Sequence, residues 1–318
     1  MFSPKRLILG FVFSGSLSFS ALPLAGAGET LNGFDLSGSL LPVQEIYSGG
    51  PPKDGIPAIH NPKFLKLPSA SSMTDSDRVL GIFKNGVAKA YPIKILNWHE
   101  IVNDTIGKTP VVITYCPLCG TGMAFLSKVS GKVRKFGVSG LLFNSDVLLY
   151  DRKTESLWSQ ILGMAVSGPL KGEKLSPVPL THTNFGEWKK RHPDSFILSE
   201  ETGFKRNYLR NPYLGYEKSS RTYFPVSKTS AAFHAKELVA GVEVAGKYKA
   251  YPFSELGKNN KGPFTDTFNG TTLLVKFEKT SNMAEVFDKN GTLLPSVTAY
   301  WFAWYAFHPE TEVFRSTR

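Results

Sequence analysis

A β-rich α+β fold built from two related halves is what this sequence predicts, and three observations carry the prediction. Aromatic residues make up 13% of the 318 residues, with 23 Phe and 12 Tyr, and such side chains favour pleated, half-buried surfaces. The 29 Gly and 21 Pro supply turns at a density that a helical bundle does not need. The segment from Val79 to Leu96 returns 160 residues later as Val239 to Leu256 with eight of eighteen positions identical, where composition alone gives about one. Two copies fall short of the three or more that a solenoid needs, so the expectation is two packed halves.

The elements follow in chain order. Lys5 and Arg6 precede an apolar run from Leu7 to Phe13, and Ala25-Gly26-Ala27 offers a small-residue cleavage site. Residues 1–27 thus read as a secretory signal peptide, which makes the protein exported, periplasmic or extracellular. No later stretch is apolar enough to cross a bilayer as a helix, so no transmembrane anchor is expected after cleavage. Residues 28–78, with Gly49-Gly50-Pro51-Pro52, read as an extended lead-in. A first half then runs over 79–200, a connection over 201–238 and a second, degenerate half over 239–318.

Each copy of the repeat, 79–131 and 239–291, reads as hairpins and short helices. Asn85-Gly86 marks a hairpin, and Pro92 opens a short helix. A strand over Pro110 to Tyr115 and a further hairpin near Gly131 follow, matched by the turn Asp288-Lys289-Asn290-Gly291. The run Ile95 to Asp104 reads as helical, with His99 on it. Phe136 to Gly168 reads as further strands and Thr183 to Arg191 as a short helix.

Charge excludes little but guides partners. The net +11 becomes +9 once Lys5 and Arg6 are removed, and the densest basic cluster is the short Lys189-Lys190-Arg191. A scattered excess of this kind is a solvated face, and no nucleic-acid partner is expected. The sequence has no phosphate loop or dinucleotide fingerprint and no G-x-S-x-G elbow.

Positions shared by both copies, such as Gly81, Gly86, Tyr91 and Pro92, are explained by turn geometry and packing. Chemistry is sought where the copies differ. At constant offset His99 faces Asn259, Glu100 faces Asn260, Cys116 faces Lys276 and Cys119 faces Lys279, so the reactive residues belong to the first half. Cys116-Pro117-Leu118-Cys119-Gly120 holds both cysteines of the chain. An exported chain invites a structural disulfide, although so small a loop staples little. A thioredoxin-like pair needs a helix beginning at the first Cys, and none is signalled. A metal knuckle suits the Pro and Gly, with Cys116, Cys119 and His99 as ligands for copper or zinc.

The rival is a thiol-dependent enzyme or redox protein using Cys116 activated by His99, with Glu100 orienting the ring; a third reading is a non-catalytic envelope or binding protein. Asp146 and Asp151 lie close in sequence, Asp146 as a candidate to face the site and Asp151 in a turn with an ion pair. His308 has the context of a half-buried structural imidazole. The Arg- and Tyr-rich connection from Tyr208 to Tyr223 reads as a packed linker, with the lining of an anion or glycan site as the alternative.

The runs Trp98 to Asp104, Thr114 to Thr121, Phe136 to Asp146, Ser156 to Gln160, and Trp301-Phe302-Ala303-Trp304 through His308-Pro309 closely resemble the bacterial and archaeal domain-of-unknown-function 3179 family. The resemblance spans roughly residues 75 to 315. It implies an exported protein and no particular activity. The family pattern also admits Thr or Ser at the position of Cys119, so what the resemblance carries over is the pair Cys116 and His99.

Overall fold

Asn85 and Gly86 take φ of 52° and 75°, the left-handed pair that closes a two-residue hairpin in step with strand twist. They join the strands Arg78–Lys84 and Val87–Pro92, after which Pro92 leads into the helical turn Ile93–Leu96. The computed structural model describes residues 29–67, 72–259 and 262–316, and the expected signal peptide lies outside them. Further along, Leu238–Val244, Lys247–Pro252 and Phe253–Leu256 take the same three forms, each shifted by 160 residues. Tyr91 and Tyr251 are both wholly buried. Tyr91 donates to Asp104 at 2.6 Å and Tyr251 to Asp266 at 2.8 Å, and Lys89 and Lys249 pair with the same carboxylates.

Beyond the helical turns the shift is 162, not 160. Ile106 pairs with Thr109 across one hairpin, as Phe268 does with Thr271 across the other, so the second segment holds two extra residues before this hairpin. This corrects the gapless alignment: Cys116, paired with Thr121, stands in register with Glu278, paired with Met283. The helix expected over Ile95 to Asp104 is also corrected. It ends at Leu96, and Ile101–Ile106 is a strand, because Ile101, Val102, Thr105 and Ile106 are β-branched and the strand pairs with residues 109–114 of Thr109–Cys116.

The correspondence continues outside the expected repeat. Strand Thr181–Asn184 and helix Phe185–Arg191 have a counterpart in strand Val297–Tyr300 and helix Trp301–Phe307. Each strand runs antiparallel to the first strand of its hairpin. Each helix lays a Trp on a hairpin glycine, Trp188 on Gly81 and Trp304 on Gly241. Trp188 donates to Ser195 and Trp304 to Thr311, and a short strand then returns parallel to the hairpin in both places.

These pieces assemble into several sheets. One runs through Thr181–Asn184, Arg78–Lys84, Val87–Pro92, Phe196–Leu198 and Phe64–Lys66. The largest joins Leu238–Val244 and its neighbours to the hairpin of Thr109–Cys116 and Thr121–Leu126, where Thr298 meets Gly122. Another orders Met164–Ser167, Leu157–Ser159, Asp146–Asp151, Phe136–Phe143 and Ile46–Ser48, so the lead-in contributes edge strands to two sheets. Phe136, Trp158, Phe125 and Phe302 fill the core between them, and Cys116 and Cys119 sit in that same cluster.

Candidate functional site

Three sharp backbone bends build the site. The strand Thr109–Cys116 is buried continuously from Val111 onward, and it carries Cys116 into the interior. Gly120, at φ 61°, reverses the chain into the strand Thr121–Leu126, with the Tyr300 ring packed where a Cβ would stand. Within this turn the Cys119 N–H donates to Cys116 Sγ at 3.4 Å. No helix follows the second cysteine, and both cysteines are free and fully buried.

The second bend is Asn144-Ser145, at φ 52° and 63°, which links Phe136–Phe143 to Asp146–Asp151. Two successive left-handed residues without glycine are strained, and side-chain anchors hold them. Asn144 accepts from the Ser227 N–H at 2.7 Å, and Ser145 Oγ donates to Phe224 O at 2.8 Å. Ser145 O then faces both thiols, at 3.6 Å from Cys116 and 3.3 Å from Cys119. The third bend is Glu100, at φ 57°, which turns the chain from the end of the helical turn into the next strand.

Cys116, Cys119 and Asp146 converge so that one donor atom from each lies within 4.8 Å of the others. Asp146 is 1% exposed; its Oδ2 accepts from the Ile161 N–H, while Oδ1 has no partner. Burial pushes the Asp146 carboxyl up to about 7. Burial, then the neighbouring Asp146, pushes Glu100 up to about 8. Burial also raises the Cys116 thiol and raises that of Cys119 strongly. Among the described residues neither Glu100 nor Asp146 has an ion-pair partner. A cavity of about 140 Å³ adjoins the cluster and is lined by Cys116, Glu100, Tyr213, Tyr223 and Phe224 among others.

The sequence-derived candidates separate here. Cys116 and Cys119 come together with Asp146, and Glu100 lines the adjoining cavity. His99 lies outside this cluster of donor atoms, and both its ring nitrogens are engaged. Nδ1 meets Pro57 O at 2.7 Å, and Nε2 meets the Tyr208 hydroxyl at 2.7 Å. A carbonyl only accepts, so Nδ1 carries the proton and Nε2 accepts from Tyr208. Burial lowers the His99 pKa and keeps the ring neutral. Asp151 is structural: it accepts from Thr154 and the Trp158 indole and lies 3.8 Å from Arg134. The connection over 201–238 lines the cavity beside the cysteines through Tyr213, Tyr223 and Phe224.

A strand-rich scaffold holding two thiols and a carboxylate at a buried bend defines the class. The chain belongs to the family described as protein of unknown function (DUF3179), which matches residues 53–311. Neither the curated proteins nor the solved structures contain a match to it.

Proposed function

We propose that this is an exported metal-binding protein in which Cys116, Cys119 and Asp146 ligate a soft transition metal, with the remaining coordination position facing the cavity beside Cys116. The convergence of the buried Asp146 carboxyl with two thiols, donor atoms within 4.8 Å of one another, carries this reading. A carboxylate removed from water without a counter-charge is costly, and a cation bound among these three atoms compensates it. Two sulfurs and an oxygen suit zinc better than copper(I), which favours an all-sulfur set. Three protein ligands and an open position are the pattern of a reactive rather than a purely structural zinc site. The two halves, in this reading, descend from one duplicated unit, and the site was elaborated in one of them.

The raised thiol pKa values weigh against thiol catalysis in the metal-free protein, since a buried protonated thiol is a poor nucleophile. A metal displaces those protons. The rival reading, a reactive Cys116, is favoured by one feature: the cavity opens on Cys116 and not on Cys119. In that case Glu100, which lines the cavity, takes the place given to His99 as proton acceptor.

Elemental analysis of the protein purified from the periplasm without chelator tests the proposal. About one zinc or copper per chain is expected, lost in Cys116→Ser, Cys119→Ser and Asp146→Asn. Metal-free protein with a titratable, alkylation-sensitive Cys116 would overturn it in favour of thiol chemistry.

A further inference from the structure

We propose that the cavity beneath Tyr248, Trp304 and His308 is a second binding site, independent of the cysteine cluster, for a small planar aromatic molecule that carries a hydrogen-bond donor. The cavity measures about 380 Å³, within the range of small-molecule sites. Its apolar walls include Phe125, Ile161, Val178 and Val297.

His308 is the imidazole that lines this cavity. It is 7% exposed and lines the space, yet its ring makes no hydrogen bond among the described residues. It is held by stacking alone, on Tyr248 at 3.8 Å and 22° and against Trp304 at 4.3 Å. Burial lowers its pKa to about 4, so at neutral pH it offers one donor and one acceptor nitrogen. A neutral imidazole that lines an open space without a protein hydrogen-bond partner offers its acceptor nitrogen to a guest that donates to it.

The corresponding place around Trp188 is built from the same kinds of ring. There Trp188 and His192 meet at 4.2 Å, and Phe83 stacks on His192. Phe83 pairs across its hairpin with Ala88, and at the matching pair the second half carries Glu243 opposite Tyr248. The aromatic ring has moved to the other strand, and Glu243 takes the place that Phe83 fills. Tyr248 and Trp304 on the wall of this cavity favour stacking against a flat ring.

Indole, and its donor-free isostere indene, test the site in the mature protein by nuclear magnetic resonance of the His308 ring and by calorimetry. Indole is expected to bind saturably and to shift the His308 ring nitrogens. Indene should bind about tenfold more weakly, as loss of one buried hydrogen bond implies. His308→Phe keeps the stack and should abolish the preference for indole, and Ser296→Trp, at the cavity wall, should block both probes. Zinc content should not change in either variant, which separates this site from the cysteine cluster. No saturable binding, an unchanged preference in His308→Phe, or undiminished binding in a folded Ser296→Trp protein would overturn the proposal.

Discussion

Asp146 and His99 are both buried first-half residues, and their surroundings assign them opposite roles. His99 is satisfied on both nitrogens by groups distant in sequence, Pro57 and Tyr208. Asp146 keeps one oxygen unsatisfied beside two sulfurs. Asp146→Asn retains an oxygen for the Ile161 N–H and removes the charge, so it should leave the metal-free fold at least as stable while weakening zinc affinity by about a hundredfold or more. His99→Ala should do the reverse: a loss of about 2 to 4 kcal/mol in urea denaturation, because it leaves Pro57 O unpaired and opens a void, with metal content retained. Metal loss in His99→Ala with full occupancy in Asp146→Asn would reinstate the histidine as ligand. The sequence exposes which atoms are soft, because only two cysteines exist and they lie in one turn. It hides the bearing of Asp146, which reaches the sulfurs through the non-glycine two-residue turn Asn144-Ser145.

At the scale of the element, what was legible is what local chemistry dictates. The Asn85-Gly86 hairpin and the Pro92 helical turn are written in residues with restricted or special φ. Ile95 to Asp104 was misread because its apolar spacing fits a helical period as well as a strand, and the choice is made by pairing with Thr109–Cys116, a tertiary contact. Of the two reasons the sequence offers for a shared glycine, turn geometry and packing, it is packing that holds at Gly81 and Gly241: each lies inside a strand and gives room to a tryptophan. A Cβ added at either would meet the Trp ring at 2.1 Å, far inside van der Waals contact. Gly81→Ala and Gly241→Ala should therefore each destabilise by about 3 kcal/mol or more in denaturant titration. Comparable losses at the two positions would show that both helices bear on their hairpins in the same way. A neutral substitution at either would refute the close packing there.

For the whole molecule, the buried ionisable groups set a pH dependence whose sign depends on whether metal is bound. Burial lowers His182 and His308 to about 4, so as pH falls from about 6.5 to 4 the unfolded chain binds their protons first and stability declines. Asp146 and Glu100 act oppositely, being raised to about 7 and about 8 from 3.8 and 4.5. Over that range the folded state holds their protons and the unfolded state does not, so stability declines as pH rises. Between about pH 4.5 and 6.5 the two pairs oppose each other, and His60, His99 and His192, which burial also lowers, tip the balance so that the metal-free protein should gain stability as pH rises. Above pH 6.5 the unfolded histidines lose their remaining protons while the carboxyls still differ between the states. Stability of the metal-free protein should then fall by about 2 kcal/mol in total up to pH 8. With zinc present the slope should reverse, because ligation requires deprotonated thiols and carboxylate and therefore strengthens as pH rises. Urea denaturation at pH 6.5 and 8, with chelator and with zinc, gives both slopes. A metal-free protein that gains stability toward pH 8 would mean that the carboxyls are already ionised and compensated in the fold, and would remove the electrostatic case for a bound cation.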